Sequence, residues 1–254
     1  MLKTIRAHLI NYRQLMRIMG WLLMIEAGFM LFPTLTSVAY GESDWLPFAG
    51  TSLLTGTVGI VLAFRAKPTS QHMGKRDGFL LTAMVWIVFS FFGLIPFLFC
   101  SNPLTYSDAF FEAMSGFTTT GASVINSVSD MSHGVHLWRA MMQWIGGMGI
   151  ILFTLAVIPM LNHSGGMQMF NAEVTGITHD KIRPRISQTA KSLWLIYLLL
   201  TMVLILLLWA GPMSFFESVC HAFGAISTGG YSTNSSGVAA WHDSVSVSYT
   251  HLTL

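Results

Sequence analysis

Apolar residues in this chain come in runs, not at the spacing of half-buried helices. Five runs reach the roughly 20 residues needed to cross the hydrocarbon of a bilayer: Leu15 to Tyr40, Trp45 to Phe64, Phe79 to Cys100, Val135 to Met160 and Ser192 to Gly211. Two shorter stretches interrupt the pattern. "TYSDAFFEAMSGF", Thr105 to Phe117, is apolar on one side and runs straight into "TTTGAS". As a helix it extends about 20 Å, too little to span. "SFFESVCHAFGAI", Ser214 to Ile226, has the same form and runs into "STGGYS".

Composition turns the runs into a fold class. Hydrophobic residues make up 53% of the 254 positions and charged residues only 9%, where a soluble domain carries about 25% charged residues. The chain therefore reads as an all-α polytopic membrane protein. The basic start leads into a run too long for a signal peptide, so the first run is kept as a span. Cys100 and Cys220 suggest no disulfide framework.

Charge sets the topology. Lys3, Arg6, Arg13 and Arg17 precede the first run; Arg65, Lys67, Lys75 and Arg76 follow the second; Lys181, Arg183, Arg185 and Lys191 precede the fifth. These segments alternate across the membrane, and the positive-inside rule makes all three cytoplasmic, with the N-terminus inside. Glu42, Asp44, Asp108, Glu112, Asp130 and Glu217 then lie on the opposite side, and Arg139 is the cation that falls outside the three clusters. A net charge of +2 gives no sign of nucleic-acid binding. On this topology run three leads outward and run four inward, so residues 105–117 enter and leave by one face as a re-entrant half helix.

A shift of 109 positions lays "TYSDAFFEAMSGFTTTGAS" on "SFFESVCHAFGAISTGGYS", matching Ala113 with Ala222, Thr119 with Thr228, Gly121 with Gly230 and Ser123 with Ser232. Both copies open on the pattern [ST]-x-x-[DE], Thr105 with Asp108 and Ser214 with Glu217, which caps a helix start. Repeats in membrane proteins build a pathway about a pseudo-symmetry axis. Non-helical backbone at membrane depth must be buried in protein or line water. Glycine frees the backbone to turn its carbonyls to one side, threonine adds uncharged oxygens, and the negative end of the preceding helix dipole points at the same place. Such oxygens replace the hydration shell of a monovalent cation.

Other residues carry weaker signals. Glu26 inside the first run is expected to pack protonated or hydrogen-bonded. Asp108, Glu112 and Glu217 are candidate outer-mouth acids that attract cations, although capping alone accounts for Asp108 and Glu217. "GGMG", Gly146 to Gly149, suits close helix packing. His133, His136, His163 and His179 lack metal-ligand spacing. A serine protease built on Ser123, or on Ser164 beside His163, lacks a base set across a cleft. A non-conducting structural or regulatory subunit is the remaining alternative.

"DAFFEAMSGFTTTGASV", "QWIGGMGIILFTLAVIPML", "AEVTGITHDKIRPRISQTAKSLWLIY" and "HAFGAISTGGYST" resemble the TrkH/TrkG branch of the Trk/Ktr/HKT superfamily of potassium transporters, from Arg17 to about Trp241. The resemblance implies four membrane-pore-membrane repeats around one pore, each giving a filter strand, as in potassium channels. Here that means an extra helix pair in 1–66, a first repeat in 67–162, a cytoplasmic connection in 163–189 and an incomplete second repeat in 190–241. Filter strand one would be Thr118, Thr119, Thr120, Gly121 and Ala122, and strand two Ser227, Thr228, Gly229, Gly230 and Tyr231. Potassium would sit at Thr119, Thr120, Gly121, Thr228, Gly229 and Gly230. Sodium-preferring relatives have serine at the first glycine, so Gly121 points to potassium. Also implied are a homodimer in the bacterial inner membrane, a cytoplasmic TrkA-like nucleotide-binding regulator, and no cofactor on this chain. Residues 242–254, including "SVSVSYTHLTL", do not resemble the family. Its third-repeat gating loop and fourth-repeat arginine are not in this sequence, so the implied uptake is expected of a longer protein and not of these residues alone.

Overall fold

The apolar runs fold as helices. The computed structural model describes residues 11–66, 75–162 and 186–241. Lys3, Arg6, Lys67, His163, Ser164, His179, Lys181, Arg183 and Arg185 lie outside the described residues, as do most of the cytoplasmic connection and the tail from residue 242. Among the described residues there is no strand. We name the helices α1 (Tyr12–Ala39), α2 (Trp45–Arg65), α3 (Lys75–Gly93), α4 (Ile95–Phe99), α5 (Tyr106–Phe117), α6 (His133–Asn162), α7 (Ile186–Trp209) and α8 (Phe215–Ile226).

Four segments among the described residues are long and apolar enough to cross a membrane: Tyr12–Ala39, Trp45–Arg65, Arg76–Phe99 and Thr189–Trp209. The third is interrupted at Leu94, where Pro96 in the first turn of α4 cannot continue the ladder of α3. The run from Val135 forms α6, whose 30 residues make it the longest helix among the described residues. On α7, Leu195, Leu199, Leu200, Leu206 and Leu207 are all exposed, the pattern of a lipid-facing surface.

Helices in hydrocarbon gain little by leaving lipid, so close packing and buried hydrogen bonds must hold them together. α1 and α2 meet backbone to backbone: a Cβ on Gly20 would lie 2.4 Å from the Ala63 nitrogen. The Ser52 hydroxyl donates across the same seam to the Ala27 carbonyl at 2.7 Å. Glu26 is buried in α1, and neither carboxyl oxygen has a hydrogen-bond partner; of its two expected roles, the hydrogen-bonded one is not seen.

α6 is the centre of the molecule, packing on α1, α3, α5, α7 and α8. Trp138 donates its indole N–H to the Gly93 carbonyl at 3.0 Å and meets the Phe117 ring edge-on. Farther along, Trp144 stacks on Phe223 and donates to the Thr201 hydroxyl at 3.1 Å. The N-terminal end of α6 is anchored by the α1–α2 loop. Glu42 accepts the His133 amide at 2.9 Å, and Asp44 accepts the Ser101 amide at 2.8 Å. These carboxylates satisfy orphan amides at a helix start and in the loop before α5.

Candidate functional site

The two half helices are copies in structure as well as in sequence. α5 and α8 are both 12 residues long and begin 109 positions apart. Ser214 and Glu217 form a full capping box. Thr105 accepts the Asp108 amide, but Asp108 bonds the Thr105 hydroxyl at 2.7 Å and not its backbone; aspartate is one methylene shorter than glutamate.

The segment after each helix repeats in detail. Thr118, Thr119 and Thr120 return their N–H groups to the carbonyls of Met114, Gly116 and Ser115. Ser227, Thr228 and Gly229 return theirs to Phe223, Ala225 and Gly224, the same pattern at a shift of 109. Left-handed backbone falls at matching places: Thr119 at φ 55 and Gly121 at φ 73, Thr228 at φ 59 and Gly230 at φ 77. A β-branched residue there is an outlier costing roughly 1–3 kcal/mol, held only when its surroundings over-determine it. Because a trans peptide sets its C=O opposite its N–H, amides turned back to the helices leave the carbonyls of Thr118, Thr119, Ser227 and Thr228 facing away from them.

The two strands touch. A Cβ on Gly121 would lie 1.9 Å from the Gly229 carbonyl oxygen. Thr120, Thr228 and Gly230 are exposed, while Gly229 and Tyr231 are buried. Ala122, at the end of the first strand, directs its carbonyl into the protein: its oxygen accepts the Ser115 hydroxyl at 2.6 Å and the Tyr231 hydroxyl at 3.2 Å.

The three acids expected at the mouth separate. Asp108 and Glu217 are partly exposed and cap their helices. Glu112 does not face outward, because it shares the buried stripe of α5 with Ala109, Ala113 and Gly116. It is fully buried and pairs with Arg139 of α6 at 2.8 Å. Its carboxylate also accepts the Ser123 hydroxyl at 3.0 Å and the Val124 amide at 3.2 Å. Arg139 donates onward to the Ser123 hydroxyl and the Ser232 carbonyl and lies 4.2 Å from the centre of the Tyr231 ring. Tyr231 donates its hydroxyl to the Glu112 carbonyl at 3.1 Å. One buried ion pair thus ties both strands to α6. The sequence held the signal: an intramembrane arginine outside the basic clusters calls for an acidic partner. Ser123 bonds a carboxylate and a guanidinium, which is no nucleophile's setting.

A family model described as TrkH, cation transport protein, matches residues 48–253. The chain is 39% identical over 230 residues to "Trk system potassium uptake protein TrkH" of Escherichia coli K12, covering 90% of this chain and 47% of that protein. It is 33% identical over 226 residues to the TrkG protein of the same strain, covering 88% and 46%. A crystal structure of the potassium transporter TrkH from Vibrio parahaemolyticus superposes with a TM-score of 0.83 at 32% identity, covering 96% of this chain and 49% of that one. The chain spans about half the length of the curated relatives it matches. From the matched family model and the twin half helices with their left-handed tails, the chain belongs to the TrkH family of cation transport proteins.

Proposed function

We propose that these residues form part of the pore of a potassium uptake protein in the bacterial cytoplasmic membrane, with the N-terminus inside. The observation that carries this reading is the matched left-handed geometry at Thr119 and Gly121 and at Thr228 and Gly230. It supports two strands presenting uncharged oxygens to one path, the chemistry that dehydrates a monovalent cation. Thr119, Thr120, Gly121, Thr228, Gly229 and Gly230 are assigned to potassium. The relatives' names, potassium uptake proteins of a Trk system, agree with that ion.

Two strands leave a filter half enclosed, so the activity is assigned to the longer polypeptide that contains them, with two further strands closing the ring. The chain needs no cofactor and no enzymatic step for this role. A second copy, surrounding lipid and a cytoplasmic TrkA-like nucleotide-binding regulator complete the proposed assembly. The test is potassium uptake by a bacterium lacking its own potassium transporters and expressing the complete gene that carries these residues, wild type beside Gly121→Ser. Selective uptake that loses its preference for potassium in the serine variant is expected. Uptake indifferent to position 121 would leave the half helices as scaffolding in a non-conducting subunit.

A further inference from the structure

Gln143 lies one turn after Arg139 on α6, fully buried, behind the point where the two strands meet. Its side-chain oxygen accepts the Tyr231 amide at 3.1 Å, which fixes the orientation of the side-chain amide. Its Nε2 group has no hydrogen-bond partner. The side chain lies flat on the second strand: a Cβ on Gly229 would sit 2.4 Å from the Gln143 carboxamide carbon. A Cβ on Gly121, in the first strand, would come within 3.8 Å of Nε2.

The strand's own helix orients most of its peptides. The N–H groups of Thr228, Gly229 and Gly230 return to Ala225 and Gly224. The next amide, that of Tyr231, is instead taken by α6 through Gln143. Since C=O and N–H oppose each other in a trans peptide, an amide held against α6 turns the Gly230 carbonyl away from α6. The same side chain accounts for a break in the repeat. Thr120 in the first copy corresponds to Gly229 in the second, and the carboxamide occupies the space a threonine would need there.

We propose that Gln143 is a positioning residue for ion selectivity, aiming the Gly230 carbonyl at the ion path by holding the Tyr231 amide behind it. The inference rests on the filter reading above. It separates selectivity from abundance, because the oxygen of Gln143 is an acceptor for one peptide, whereas its bulk only fills space.

The test uses the complete gene carrying these residues in a host without potassium transporters, and reads the ratio of potassium to sodium influx at matched amounts of protein in the membrane. Gln143→Met keeps the length and removes the acceptor, and is expected to lower the ratio about tenfold, the scale of a lost buried hydrogen bond. Gln143→Glu keeps an acceptor at the same reach and is expected to hold the ratio within about threefold of wild type. Should the methionine variant fail to accumulate, Gln143→Asn, which withdraws the acceptor by one methylene, carries the same expectation. A wild-type ratio in the acceptor-free variant, or equal losses in methionine and glutamate variants, overturns the proposal. Gly121→Ser is measured alongside. If it shifts the ratio while the position 143 variants do not, the filter reading stands and this inference alone fails; if it shifts nothing, both fail.

Discussion

Gly121 and Gly230 occupy equivalent positions in the two copies, with φ of 73 and 77, yet alanine at each meets a different neighbourhood. At either site an L-residue forced into left-handed backbone costs roughly 1–2 kcal/mol. At Gly230 nothing lies within 4 Å of the added carbon, so that is the whole effect within the chain. At Gly121 the added carbon would stop 1.9 Å from the Gly229 oxygen, about 1.5 Å short of ordinary contact, and the obstacle is backbone. Overpacking of this kind adds about 1–3 kcal/mol. Gly121→Ala should therefore destabilise by about 2–5 kcal/mol and Gly230→Ala by about 1–2 kcal/mol. Thermal denaturation of the detergent-purified protein, wild type and both variants under one condition, measures the difference directly. Equal losses at the two glycines, or a larger one at Gly230, would refute the claim that the strands are in contact at Gly121.

Glu112→Gln removes the charge that neutralises a buried guanidinium, and is expected to cost about 3–5 kcal/mol by the same melt, while Glu112→Leu with Arg139→Leu recovers most of the loss; a single variant as stable as wild type would remove the ion pair from the account. Ser214→Ala breaks the capping box of α8 and should cost about 1 kcal/mol. Thr105→Ala, whose partner does not reach back to the helix-start backbone, should cost less; the reverse order of the two melts would contradict the cap geometry.

The helices were legible because bilayer thickness fixes their length, and α5 and α8 because their caps and their spacing of 109 repeat. Left-handed backbone at Gly121 and Gly230 follows from residue type. At Thr119 and Thr228 it does not, since no propensity puts a β-branched residue there; the amides returned to the helix ends impose it. Glu112 was read as a mouth acid from its charge, although its register with Ala109, Ala113 and Gly116 already placed it on the buried stripe. Arg139 stood out as a cation calling for an acidic partner, but which acid it meets was not legible, and neither was the Gln143 bond, because the partners lie 27 and 88 positions away. Helical periodicity reports which face is buried, not which distant segment covers it.

The hydroxyl of Tyr231 reaches back 119 positions to the Glu112 carbonyl and 109 to that of Ala122. As the chain is made from its N-terminus, the first strand enters the membrane well before the residue that completes it exists. Until then the ion pair beneath it lacks the aromatic face that later covers the guanidinium. Long-range closures of this kind are slow relative to helix formation. The first copy therefore reaches its final form only after the second has been inserted, and the two repeats, though each looks like a module, mature as one unit.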